Sequence, residues 1–231
     1  MKEMLLSLCA ACFTLGIAAQ TKEVKFSLLE TTDVHGNYLP YNFITGEDGT
    51  GSMARVYTYV KQLRQTEGKD HVVLLDNGDI LQGQPIAYYY NYMDTKSPHL
   101  CSAVLNYMQY DAGTVGNHDV ETGHAVYDRW VKQCKFPMLG ANVIVTKNEK
   151  PYWKPYTIIE RQGVKIAVLG MITPGIPMWL PENLWSGLRF DDMLQVAQRR
   201  FYYGDYEIDV VPYGYVAKED DNIYWPPEET I

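Results

Sequence analysis

Asp33-Val34-His35, Gly78-Asp79 and Gly116-Asn117-His118-Asp119 set carboxylates, imidazoles and an amide beside glycines at three points of the chain. Oxygen and nitrogen donors of these kinds suit first-row divalent metals. In an extended segment, residues two apart point the same way, so Asp33 and His35 can both face one ion. A carboxylate such as Asp79 can bridge two cations, and Asn117 can offer a neutral oxygen to the second. The adjoining glycines let the backbone turn sharply and approach a ligand closely. Asp, Asn, Gly and His are also turn residues, and one such block alone would read as a turn. The argument for chemistry is that three of them recur, each where a strand should end.

The elements that must position these blocks can be read from apolar periodicity. Val24 to Leu29 reads as a strand, and Ser52 to Gln65 as a helix with Ser52 at its N-cap and Met53, Val56, Val60 and Leu63 on one face. His71 to Leu75 is a β-rich run that stops at Asp76-Asn77-Gly78-Asp79. Leu100 to Met108 and Gly123 to Cys134 read as helices on either side of a short strand, Gly113 to Val115. Tyr156 to Glu160 and Val164 to Leu169 flank Arg161-Gln162-Gly163 as a hairpin, and Asp191 to Arg200 looks helical. Strands separated by helices imply an α/β fold with chemistry on the loops at strand ends. His71, His99 and His124 read as surface or packing residues. The run Tyr88-Tyr89-Tyr90 with Tyr92 reads as core and rim packing, although its faces could stack on nucleobases.

The three blocks resemble those of the calcineurin-like metallophosphoesterases, whose pattern runs Asp-x-His, Gly-Asp, Gly-Asn-His-Asp/Glu, a lone His and finally Gly-His-x-His. Gly116-Asn117-His118-Asp119-Val120-Glu121-Thr122-Gly123 is similar to the nucleotidase form of the third block, and Gly83 and Pro85 to the bacterial periplasmic branch. That branch contains 5'-nucleotidases and 2',3'-cyclic-nucleotide phosphodiesterases. The resemblance covers about residues 24 to 200 and implies an α/β sandwich of mixed sheets flanked by helices. It also implies Asp33, His35, Asp79 and Asn117 as ligands of two divalent ions, with Mn, Fe or Zn as candidates, and a small nucleotide as substrate. Such a pair, about 3.5 to 4 Å apart, clamps a phosphate oxygen and lowers the pKa of a bound water. His118 is then the group to stabilise the transferring phosphoryl or protonate the leaving oxygen, because imidazole titrates near neutrality. Glu121, or locally Asp119, would orient it.

No histidine follows His124, so the last two blocks of the pattern have no counterpart in these 231 residues. A second expectation therefore stands beside the enzyme: a truncated or frameshifted remnant that at most binds metal or phosphate weakly. Its motivation is the segment 201–231, where eight aromatics and eight acids crowd together with Pro212, Pro226 and Pro227. That segment carries −7 of the −8 net charge, so the rest of the chain is nearly neutral. A body without clustered Lys and Arg offers no footprint for DNA or RNA. Lys2, the apolar run Leu5 to Ala19 and small residues near its end read as an export signal over residues 1–19, too short to span a bilayer. The expected organisation is thus a signal over 1–19, a metallophosphoesterase portion over 20–200 and an atypical tail over 201–231, in a periplasmic or secreted protein with no stable membrane insertion. Cys101 and Cys134 are expected as buried free thiols.

Overall fold

The computed structural model describes residues 23–43 and 45–198, with the backbone of 201–203 and 206–208. The expected export signal and most of the tail lie outside the described residues. In chain order the strands are β1 (Ser27–Thr31), β2 (Tyr41–Asn42), β3 (Glu47–Asp48), β4 (Val72–Asp76), β5 (Ala112–Thr114), β6 (Met138–Leu139), β7 (Val143–Val145), β8 (Lys150–Pro151), β9 (Tyr156–Arg161), β10 (Val164–Leu169), β11 (Leu188–Phe190), β12 (Phe201–Tyr203) and β13 (Tyr206–Ile208). The α-helices are α1 (Met53–Thr66), α2 (Pro85–Tyr88), α3 (Leu100–Met108), α4 (Asn117–Val120), α5 (His124–Gln133), α6 (Ile176–Trp179) and α7 (Met193–Ala197), and α2 runs on into a π-helical turn over Tyr89–Met93.

Strand β4 is buried along nearly its whole length, as its Val-Val-Leu-Leu composition requires of an inner strand in a parallel sheet. It lies between β1 and β5 in a four-stranded sheet of order β1-β4-β5-β6. Every pairing in this sheet is parallel. The register aligns Thr31 with Asp76, Asp76 with Gly113, and Thr114 with Leu139. The carboxyl ends of β1, β4 and β5 therefore finish side by side, where ligands of open α/β sheets bind. Antiparallel pairing is kept to separate small sheets: β9 with β10, β11-β7-β8, β2 with β3, and β12 with β13. The α/β class and the combination of sheets and helices agree with the sequence reading.

Helix α1 starts where Ser52 accepts a hydrogen bond from Arg55 N–H, and it buries Met53 and Val60. Helix α3 buries Cys101, Leu105 and Met108 and ends at Gln109 in the left-handed conformation. It packs against α5, which buries Val126, Tyr127 and Trp130. Losing a side chain as large and as deeply buried as Trp130 costs about 3 kcal/mol or more. Cys101 and Cys134 are free thiols, the first fully buried and the second partly so. The β9–β10 hairpin closes on Gln162 and Gly163, both at positive φ, the geometry a two-residue connection needs. The helix expected over Asp191 to Arg200 is the shorter α7, capped by Asp192, and its last two expected residues lie outside the described ones. At the start of the segment expected as an atypical tail, β12 pairs with β13, Phe201 standing opposite Ile208.

Candidate active site

The first loop leaves β1 and is sewn to the second by its backbone. Asp33 N–H donates to Gly78 O at 3.1 Å, and His35 N–H to Asp79 O at 2.9 Å. Asp33 and His35 do not follow the extended geometry expected of them. Their φ values are 53° and 49°, and Asp79 joins them at 56°. These three make up half of the non-glycine residues at positive φ among the described residues. Side chains seldom adopt this region, and strain of this kind clusters at functional sites. The turn still brings Asp33 Oδ1 within 3.8 Å of His35 Nε2.

Glycines set the spacing between the second and third loops. A Cβ on Gly78 would stand 2.3 Å from Gly116 N, and one on Gly116 would stand 2.2 Å from Asp79 Oδ1. With both absent, Asp79 Oδ1 reaches the N–H of His118 at 2.7 Å. Donor atoms of His35, Asp79 and His118 then all lie within 4.8 Å of one another. The His35 and His118 rings meet edge to face with centroids 5.3 Å apart. Asn117 opens α4 beside His118 and is partly exposed.

Of the two acids offered for His118, Glu121 is the one in contact. Its Oε2 lies 2.8 Å from His118 Nδ1 and also accepts from Gln82 Nε2 at 3.0 Å. With Nδ1 engaged, Nε2 is the ring nitrogen left for the site. Asp119 is fully buried, and its hydrogen bonds go to backbone. Oδ2 accepts from the N–H groups of Asp79 and Gly116, and Oδ1 from those of Ile80 and Leu81, all at 2.8 or 2.9 Å. Burial pushes the Asp119 carboxyl up to about 6, and the four donors favour the anion at neutral pH. The carboxylate thus clasps the second loop to the third rather than orienting the imidazole.

A second buried acid lies behind the loops. Asp76, at the end of β4, accepts from Thr31 Oγ1 at 2.6 Å and from Gly78 N–H at 3.2 Å, while Thr31 Oγ1 also meets the Tyr110 hydroxyl at 2.8 Å. Burial raises its carboxyl to about 7. Gln82 and Asp76 escape a reading of ligand types, although both adjoin the second block and could have been found as polar residues flanking it. His71 bonds Lys25 O at 2.8 Å, and His124 bonds Asp128 at 3.1 Å and Ser186 O at 3.1 Å. Neither joins the cluster.

The calcineurin-like phosphoesterase family matches residues 26–206. This chain belongs to that family. It is 33% identical over 197 residues to a 2',3'-cyclic-nucleotide 2'-phosphodiesterase/3'-nucleotidase of Haemophilus influenzae, covering 79% of this chain and 29% of that protein. It is 31% identical over 196 residues to the snake venom 5'-nucleotidase of Crotalus adamanteus, covering 81% of this chain and 31% of that protein. The crystal structure of the calcineurin-like phosphoesterase YfkN from Bacillus subtilis superposes with a TM-score of 0.66 at 30% identity, covering 76% of this chain and 56% of that one. The chain spans about a third of the length of the two curated relatives. The family's phosphoester hydrolases are metal-dependent, and the His35 imidazole and Asp79 carboxylate, which converge with His118, are donors that fit a first-row divalent cation.

Proposed function

We propose that this chain is a metal-dependent phosphoester hydrolase acting on nucleotides, either as a 5'-nucleotidase or on 2',3'-cyclic nucleotides. The observation that carries this reading is the convergence of His35, Asp79 and His118 at the carboxyl ends of adjacent parallel strands, with Glu121 on the far nitrogen of His118. His35 and Asp79, with Asp33 and Asn117 beside them, would hold two divalent ions. Bound there, such ions would supply Lewis acidity toward a phosphoryl oxygen and an acidified water. Glu121 fixes the His118 ring through Nδ1, which leaves Nε2 to hydrogen bond the transferring phosphoryl group and give a proton to the leaving oxygen. Gln82 holds the Glu121 carboxylate in place.

Asp79→Asn tests the reading, because the amide keeps an oxygen for His118 N–H but loses the charge that would bridge two cations. The chain reconstituted with Mn, and its variant, are compared for bound metal by mass spectrometry and for hydrolysis of p-nitrophenyl phosphate and AMP. Metal content and both activities are expected to fall together. Activity surviving with unchanged metal would refute the bridging assignment.

We also propose that residues 1–19 direct export, from Lys2 and the apolar run Leu5 to Ala19. Among the described residues no helix is long and apolar enough to cross a membrane. Mass spectrometry of the native protein is expected to find its first residue near Ala19 or Gln20 in a fraction outside the cytoplasm. An intact Met1 in the cytosol would count against export.

A further inference from the structure

Helices α1 and α3 leave a groove between them on the outer surface. It has a volume of about 480 Å³ and is walled by Met53, Ala54 and Tyr57 of α1 and by Ala103, Val104 and Tyr107 of α3. None of its described lining residues carries a charge. The walls are held in place by backbone and packing. Met53 N–H donates to Asn37 O at 2.9 Å and Ala54 N–H to Tyr38 O at 3.0 Å, which fastens the start of α1 to the chain that follows the first block. On the other side α3 packs against α5. A cleft of this size encloses a small ligand, so it has room for two aromatic side chains.

Two such side chains stand next to it. Tyr41 and Phe43 project from the β2–β3 ribbon with their rings edge to face and centroids 5.0 Å apart, and Phe43 is 59% exposed. A small cleft against these two rings is lined by Tyr38, Leu39 and Ile86, and the same three residues also line the groove. The ring pair and the groove are therefore neighbours on one surface, yet neither ring lines the groove of its own chain. Leu39 on their common border is 45% exposed and Tyr107 in the groove wall 70%. Continuous apolar surface of this kind marks a site of association.

We infer that this face is the interface of a two-fold dimer in which the Tyr41–Phe43 pair of each chain enters the groove of the other. Two observations select a second copy over a foreign partner. The knob and the socket share a border on one chain, so a rotation axis through that border fills both sockets at once and the contact closes rather than propagating. The flanking charges also match. Glu47 and Asp48 stand opposite Asn42 and Tyr41 in the ribbon, whereas Arg55 follows Ala54 in the groove wall and Lys61 lies one turn after Tyr57. All four are exposed, and docking ribbon into groove sets the acids of one chain against the bases of the other. The inference is independent of the hydrolase reading.

The test uses the full chain and its mass in solution, by light scattering and sedimentation equilibrium. Wild type is expected to dimerise. Phe43→Lys and Ala103→Glu each place a charge at an exposed position, so both should fold, which thermal melting checks. Each variant alone should dimerise more weakly by roughly 30-fold or more, the scale of one lost aromatic anchor. An equimolar mixture of the two variants should dimerise again, because the lysine of one then meets the glutamate of the other while the second contact keeps its wild-type residues. A wild-type chain that stays monomeric up to its solubility limit would overturn the interface. So would a dimer that neither variant weakens, or a loss that mixing does not recover. A monomer that binds anilinonaphthalene sulfonate and loses that binding in Ala103→Glu would give the groove to a small apolar ligand instead, and would equally overturn the dimer.

Discussion

Asp119 and Glu121 belong to one short segment, yet burial divides their work. Asp119 is sealed among backbone donors, whereas Glu121 is partly exposed and turned to His118. A sequence shows both as acids near a histidine and cannot show which faces inward, because acceptance of four peptide N–H groups leaves no residue pattern behind. Gln82 was hidden for the same reason: its partner is 39 positions away. His35, Asp79 and His118, which the sequence offers in three separate blocks, do converge in space, and the blocks stand out because Asp, His and Gly at strand ends carry their chemistry in their types. His118→Asn is expected to cut turnover by about 100-fold or more while bound metal changes little, as removal of a general acid should. An equal loss of metal would make His118 a ligand instead. Steady-state kinetics beside metal analysis separates the two.

The three loops behave as one unit because glycines remove the side chains that would hold them apart. Gly116→Ala would drive a methyl group into Asp79, with its Oδ1 2.2 Å and its backbone N 2.5 Å from the new carbon. The expected cost is about 1–3 kcal/mol of stability, typical of an overpacked site, together with loss of metal binding. Thermal unfolding and metal analysis check both, and a variant with wild-type melting and metal content would show that the loops separate freely. Elements with a long apolar period were readable: α3 runs over Leu100–Met108 as expected, and β4 and the β9–β10 hairpin fall within a residue or so of their expected bounds. Strands of two or three residues, such as β7, β8 and β11, are too short to show a period. The segment Pro85–Met93 was missed for another reason. Its tyrosines crowd together, three in a row and a fourth after Asn91, so they show no helical period, and its order depends on Asn91 and His99 meeting inside the protein.

Across the whole molecule, the carboxyl ends of the parallel strands concentrate buried acid. The folded-state pKa of Asp76, about 7, lies above the ordinary carboxyl value of 3.8, so between those values the folded chain holds a proton that the unfolded chain has released. Stability should therefore fall as pH rises from about 4 to about 7 and level off beyond, with a contribution from Asp76 on the order of 4 kcal/mol at most. Asp76→Asn keeps the shape and removes the charge. Urea unfolding measured across that range is expected to be flatter for the variant, and an unchanged slope would assign the effect elsewhere. The left-handed backbone at Asp33, His35 and Asp79 makes each of these a position where glycine would sit with less strain. The three loops thus carry three side chains that their backbone would be easier without.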